Sequence, residues 1–260
     1  MPGGSWVPGG PALYAARMAQ ALGASVRLIT GLPAGYDRTL FEGICLNARP
    51  VLSPCRYANQ YDVAGNRTQL LLSPGEPLAL APVEFENADA FVLAPAYHEL
   101  SGLPAQRPIS TISLQGPLRL AGARGHVTSH PDAIAQAAPF IRPGVFVFFS
   151  EEDTAEPTTL ARFVASQGAT AVLTRGYRGA MLFTNESESV LEAIPADSVD
   201  PTGAGDCFST AFTIRLAETG SIGAAARFAL AAGSLAVEGP GIAGIPTRAQ
   251  VEERLKQEAA

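Results

Sequence analysis

Asp200-Pro201-Thr202-Gly203-Ala204-Gly205-Asp206-Cys207-Phe208 is the stretch on which the reading of this chain turns. It follows the strand-like run Val190 to Ile194 and leads into the apolar run Ser209 to Leu216, so a glycine-rich turn opens a long helix. Three small residues leave backbone N–H groups unpaired at a helix N-terminus, where the helix dipole favours an anion. Asp206 falls in the first helical turn beside that anion site. A carboxylate so placed can take the proton of a hydroxyl as the hydroxyl attacks a phosphoryl group. Taken alone, the turn reads equally well as a tight loop before a helix that starts with an acid.

Length and composition narrow the field. The 260 residues suffice for one α/β domain over 1–260, with apolar residues spread evenly. Hydrophobic residues make up 47% and charged residues 16%, a balance that suits a parallel sheet buried on both faces. No stretch reaches membrane-span length without Gly, Pro or a charge. A formal net charge of -6 with no basic run argues against a nucleic-acid partner. Cys45, Cys55 and Cys207 show neither metal-ligand spacing nor a disulfide framework, and no signal peptide is evident, so a reducing cytoplasm is expected. His98, His126 and His130 are too scattered for a zinc cluster.

Turn residues at 1–10 give way to an apolar helix from Pro11 to Leu22, in which Gly9-Gly10 and Ala12, Ala15 and Ala16 read as close backbone approach. Ser25 to Thr30 reads as a strand, Asp37 to Leu46 as a helix, and Arg49 to Leu52 as a further strand. Period-two alternation from Arg56 to Leu72 around a turn at Ala64-Gly65-Asn66 predicts a hairpin, a β flap inserted over about 51–75. Strands follow at Ala90 to Ala94 and Ile109 to Leu114. Gln115-Gly116-Pro117-Leu118-Arg119 then lies at a strand's carboxyl end, where open α/β sheets bind ligands. Arg119 is either a contact for substrate oxygens or a solvated surface side chain. After a helix near Asp132 to Ala138, Val145 to Phe149 is the strongest strand signal. Ser150-Glu151-Glu152-Asp153 after it reads as a helix cap opening a helix to Gln167. A strand at Ala171 to Leu173 delivers the turn Thr174 to Gly179, and helices are expected to Glu218, over Ile222 to Val237 and over Arg248 to Glu258.

The whole string Asp200 to Phe208 closely resembles the C-terminal signature of the ribokinase/PfkB family of carbohydrate kinases. The resemblance implies a ribokinase-like α/β fold, a doubly wound, mostly parallel sheet with helices on both faces and a small β lid. It implies ATP-dependent phosphotransfer to a hydroxyl of a small sugar, polyol or nucleoside-like substrate. In that reading Asp206 is the base, and the backbone of Gly203, Ala204 and Gly205 stabilises the transferring group. Thr174, Gly176 and Gly179 line the nucleotide phosphates, with Ala232 and Gly233 near the adenine. Gly9 and Gly10 lie against substrate hydroxyls, joined by Gln115 and Arg119.

This sequence departs from the family in several places. Tyr14 stands where the family has an Asn that contacts the sugar. Ser150 and Asp153 occupy, in altered form, an Asn-x-x-Glu motif that organises magnesium through water. Asp200, with the loop Glu238 to Gly244, corresponds to a monovalent cation site, implying K+ besides Mg2+. The strand that the family carries before the Gly-Gly pair is missing, through a late start codon or a lost element. The resemblance further implies a homodimer that pairs through the lid. Those departures also suit a second reading, a nucleotide- or metabolite-binding protein on the same scaffold with impaired catalysis. A hydrolase is disfavoured because no Ser or Cys nucleophile stands with a His partner; Cys207 reads as a small packing residue.

Overall fold

A computed structural model describes residues 7–61, 67–104 and 109–258. In chain order it holds α1 (Pro11–Ala21), β1 (Arg27–Leu32), β2 (Cys45–Pro50), β3 (Cys55–Tyr61), β4 (Arg67–Pro74), β5 (Ala90–Leu93) and β6 (Ile109–Ser113). A short ribbon of β7 (Arg119–Ala121) and β8 (Val127–Ser129) comes next, then α2 (Ala133–Ala137), β9 (Phe146–Ser150), α3 (Pro157–Ser166), β10 (Thr170–Thr174), β11 (Ala180–Phe183) and β12 (Glu188–Leu191). The chain closes with α4 (Ala204–Thr219), α5 (Ile222–Ala236) and α6 (Arg248–Glu258).

The main sheet has the order β12-β11-β10-β9-β6-β5. Its β5, β6, β9 and β10 run parallel, and β11 and β12 add antiparallel at one edge. Successive side chains of a strand point to opposite faces, and here the two faces feed two cores. Val147, Phe149, Ala171 and Leu173 pack with α2 and α3, whereas Phe148 and Val172 pack with α4 and α5. Such burial of Val, Leu and Phe contributes about 1.5–3 kcal/mol per side chain, which is why the Val-Phe-Val-Phe-Phe run sits in the middle of the sheet. Helices on both faces of a mostly parallel sheet match the expected architecture. The C-terminal helix has the bounds read from sequence, and Gly220, left-handed at φ 65, ends α4 as a C-cap.

Three local expectations are corrected. The segment 37–46 holds only a 3-10 turn, Arg38–Phe41, capped by Asp37 through the Thr39 N–H at 2.9 Å. Gly43 at φ 77 ends that turn, and the chain pairs as β2 with β1 from Cys45, earlier than the strand expected at 49–52. The cluster 150–153 does not cap α3. Pro157 sits in that helix's first turn, and a proline both suits the first helical position and disfavours helix in the residue before it. Finally, β12 ends at Leu191, so only the start of the run 190–194 is strand.

The hairpin is present as β3 and β4, but its turn at 64–66 lies outside the described residues. One bridge, Leu70 to His126, ties it to the end of the β7–β8 ribbon. Among the described residues β1 and β2 form a parallel pair of their own, and β5 is the edge of the main sheet. A cleft of about 3680 Å3 is lined from both of these strand sets and from the N-terminus of α4.

Candidate active site

The loop before α4 is built from one aspartate outward. Asp200 accepts the Thr202 N–H at 2.9 Å on one carboxylate oxygen and the Gly241 N–H at 2.9 Å on the other. These bonds hold its carboxyl below the ordinary range against the opposing effect of burial. One carboxylate thereby joins the 200–203 turn to the 3-10 turn Gly241–Gly244. The chain then passes through Gly203, left-handed at φ 80, which is the N-cap of α4. A Cβ there would be driven into the ring carbons of Tyr14, so the position needs glycine for its dihedral and for space alike.

The amides at this helix start are not equivalent. Ala204 N–H turns back to the Pro201 carbonyl at 3.2 Å, and Cys207 N–H bonds the Gly203 carbonyl at 2.9 Å. The N–H groups of Gly203, Gly205 and Asp206 have no partner among the described residues. Of the expected set Gly203, Ala204 and Gly205, the Ala204 N–H is engaged within the tight turn, and Asp206 adds a further N–H at the same helix start. Three free N–H groups at the positive end of a 16-residue helix form an anion cradle.

Asp206 borders the cradle and lines the cleft. Loss of water around its carboxyl pushes the pKa up to about 7; Arg119 pulls it back down, and Asp153 pushes it further up. Arg119 is held in turn. Its guanidinium lies 4.7 Å from the centre of the Tyr57 ring and donates to the Ala96 carbonyl at 2.9 Å, and the Tyr57 hydroxyl donates to the same carbonyl at 2.7 Å. Tyr57, on β3, was not singled out from sequence. Its signal was the alternation of the hairpin, which puts Tyr57 and Asn59 on one face, but nothing local said that this face meets Arg119. Gly116 allows the contact, since a Cβ would lie 2.6 Å from the Tyr97 carbonyl oxygen.

The other expected residues divide into groups. Gly9, Gly10 and Gln115 line the same cleft as Asp206 and Arg119. Tyr14 also borders it but is only 4% exposed, with its ring against Gly203. Thr174 and Gly176 line the cleft, and the Thr174 hydroxyl donates to the Phe149 carbonyl at 3.4 Å. Gly179, at φ 79, could carry no side chain, because a Cβ would fall on the Leu191 carbonyl. Beside it Arg178 pairs with Glu151. Gly233 lines the cleft, whereas Ala232 is wholly buried in the α4–α5 core.

Asp153 accepts the Ser150 N–H at 2.7 Å, and the Ser150 hydroxyl accepts the Glu152 N–H at 3.3 Å, so both expected metal contacts shape their own loop. Among the described residues no three His, Cys, Asp or Glu side chains converge. Two carboxylates, Asp153 and Asp206, that feel each other's charge do fit Mg2+ held chiefly by phosphate oxygens and water. No described helix is long and apolar enough to cross a membrane.

Residues 146–248 match the model of the pfkB family carbohydrate kinases. A ribokinase of Bacillus subtilis (strain 168) is 41% identical over 98 residues, which are 37% of this chain and 33% of that protein. The match therefore spans about a third of the length of this curated relative. A ribokinase of Arabidopsis thaliana, solved with ribose and ATP, is 19% identical with a TM-score of 0.70, covering 98% of this chain and 89% of that one. A pyrophosphate-dependent kinase in the ribokinase family, solved with a pyrophosphate analog and myo-inositol, is 18% identical with a TM-score of 0.74, covering 95% and 92%. These likenesses show a ribokinase-like fold.

Proposed function

We propose, from the premise that residues 146–248 belong to the pfkB family of carbohydrate kinases, that this chain transfers a phosphoryl group to a hydroxyl of a small sugar or polyol. The reading is carried by one observation: the Asp206 carboxyl lines the cleft beside three free backbone N–H groups at a helix start, and burial shifts its pKa upward. In this mechanism the N–H groups of Gly203, Gly205 and Asp206 hold oxygens of the transferring phosphoryl group. The acceptor hydroxyl approaches from the side of Asp206, which takes its proton as the new bond to phosphorus forms. Arg119, kept in place by Tyr57 and Ala96, balances charge on that side.

Thr174, Gly176, Gly179 and Gly233 form the nucleotide side of the cleft, while Gly9, Gly10 and Gln115 form the acceptor side. Magnesium, when present with the donor, neutralises charge across the phosphate oxygens. Asp153 would hold its water shell, oriented by the Ser150 N–H. A monovalent cation beside Asp200 belongs to the same reading and rests on the resemblance of that loop. The β3–β4 hairpin is read as the lid. Leu52, 95% exposed at its base, and Leu72, 54% exposed on β4, support pairing of two copies there, so light scattering should return the mass of a dimer.

The test is a coupled assay offering ATP and pyrophosphate separately, each against ribose, nucleosides and myo-inositol. The expected result is transfer from ATP to at least one acceptor. ATP binding by calorimetry with no transfer from either donor would replace the proposal with the binding-protein reading. A second expectation concerns pH. Only the ionised carboxylate accepts a proton, so kcat/KM should rise with pH through an apparent pKa near 7 and level off above it. Asp153→Asn should move that midpoint down and Arg119→Met should move it up, because the first removes a like charge and the second a compensating one. A flat profile between pH 5 and 9 would contradict Asp206 as the base.

A further inference from the structure

Three glycines from separate parts of the chain meet at one side chain. Tyr14 lies in the first turn of α1, where its N–H bonds the Gly10 carbonyl at 3.2 Å. A Cβ on Gly203 would collide with the Tyr14 ring, one on Gly241 would lie 3.5 Å from the Tyr14 hydroxyl oxygen, and one on Gly9 would lie 4.0 Å from a ring carbon. The ring thus runs from Gly203, whose conformation aims the cradle, to Gly241, whose N–H is one of the two that fix Asp200. Flat against the first and reaching the second, Tyr14 touches both loops that the Asp200 carboxylate ties together.

We infer that Tyr14 is a positioning residue for the anion cradle: its ring, wedged between Gly203 and Gly241, sets the direction of the free Gly203, Gly205 and Asp206 N–H groups. This rests on the phosphotransfer reading above. It also gives Tyr14 a different task from the acceptor contact implied by its place after the glycine pair. The burial that makes this possible is nearly complete, and together with the charges of Asp200 and Asp206 it pushes the phenol up to about 12. The hydroxyl therefore keeps its proton over the working pH range, and its contribution does not vary with pH. The packing face of the ring is what acts on Gly203. A side chain that fills the volume without a rigid plane leaves the turn free to shift, and misplacement by about 1 Å at such a site costs on the order of 10² in rate.

The experiment compares Tyr14→Phe, Tyr14→Leu and Tyr14→Met with the wild type, each first checked by thermal melting. Two readouts are taken: kcat and donor KM in the coupled assay, and affinity for inorganic pyrophosphate by calorimetry, which needs no turnover. Tyr14→Phe is expected to retain kcat and pyrophosphate affinity within about 3-fold. Tyr14→Leu and Tyr14→Met are expected to lose kcat by roughly 30-fold or more and pyrophosphate affinity by roughly 10-fold, with donor KM little changed for ATP because the nucleotide side is untouched. Met is included because its adaptable side chain restores the buried volume if Leu does not fold. Equal behaviour of Phe, Leu and Met would overturn the inference, as would a loss in Phe as large as in Leu, which would assign the role to the hydroxyl. If the wild type phosphorylates nothing, the kinase reading fails alone, and the pyrophosphate affinities still decide whether the ring positions the cradle.

Discussion

Asp206→Asn should lower phosphoryl transfer by about 10² to 10⁴-fold while ATP still binds. The amide keeps the shape of the side chain and cannot accept the proton of the attacking hydroxyl, so the loss falls on kcat. The cradle is untouched: Gly203, Gly205 and the residue at 206 contribute main-chain N–H groups, which the substitution leaves in place. Nucleotide affinity by calorimetry should therefore stay within about 3-fold. Turnover within about 10-fold of the wild type would remove Asp206 from the chemistry, and loss of ATP binding together with turnover would mean that the helix start had been disturbed.

The same variant makes a prediction of opposite sign for stability. Burial raises the Asp206 carboxyl from 3.8 to about 7, so the folded protein binds this proton more tightly than the unfolded chain. Stability then falls as pH rises from about 4 to 7, and the full penalty is present above 7. Three pKa units correspond to about 4 kcal/mol. Water in the open cleft and the favourable placement of an acid in a first helical turn, about 0.3–1 kcal/mol, reduce this to about 1–3 kcal/mol. Asn carries no charge to desolvate, so Asp206→Asn should melt higher than the wild type at pH 8 by a few degrees, with the difference shrinking towards zero as pH falls to about 4. A residue that gains stability on losing activity is held in place for chemistry. A lower melting point at pH 8 would show that Asp206 instead supports the fold.

How much of this was legible beforehand depends on the range of the interaction. Val145 to Phe149 announced the centre of the sheet because a strand buried on both faces needs unbroken apolar residues, and α6 announced its ends by composition. The helix start at Asp200 to Phe208 was legible because its signals, small residues followed by an apolar run, are local. Most of what escaped was decided at a distance. The ladder of β2 with β1 outweighed weak helix propensity over 37–46, and Pro157 fixed the start of α3 that Ser150 and Asp153 had suggested. In the site, Tyr57 holds Arg119 across 62 positions of sequence, a meeting that no periodicity records. Ala232 and Gly233 looked alike as small helix residues, and only the rotation of α5 against Phe208 separates the buried one from the one facing the cleft. At Ala204 a hydrogen bond to Pro201 engages the N–H within the turn.

Gly203→Ala is expected to reduce transfer by about 10² to 10³-fold, as much as losing one donor aimed at a developing charge, because its N–H would be turned away from the transferring group, and to destabilise the fold by about 2–4 kcal/mol. Two costs add. A residue with a Cβ at φ 80 bears about 1–2 kcal/mol of backbone strain. The added methyl also enters the Tyr14 ring, and forcing extra atoms into a packed site costs about 1–3 kcal/mol. The two can be separated. In the double variant Gly203→Ala with Tyr14→Ala the collision is gone and the strain remains, so its loss of stability should be smaller than the sum of the single losses, by a coupling of about 1–2 kcal/mol. Activity should not return in the double variant, because the ring that aims the amides is gone as well. Independent, additive losses of stability would mean that the turn can move away from Tyr14 at little cost. Recovery of turnover in the double variant would mean that the cradle keeps its direction without the ring, leaving Gly203 important only for the room it provides.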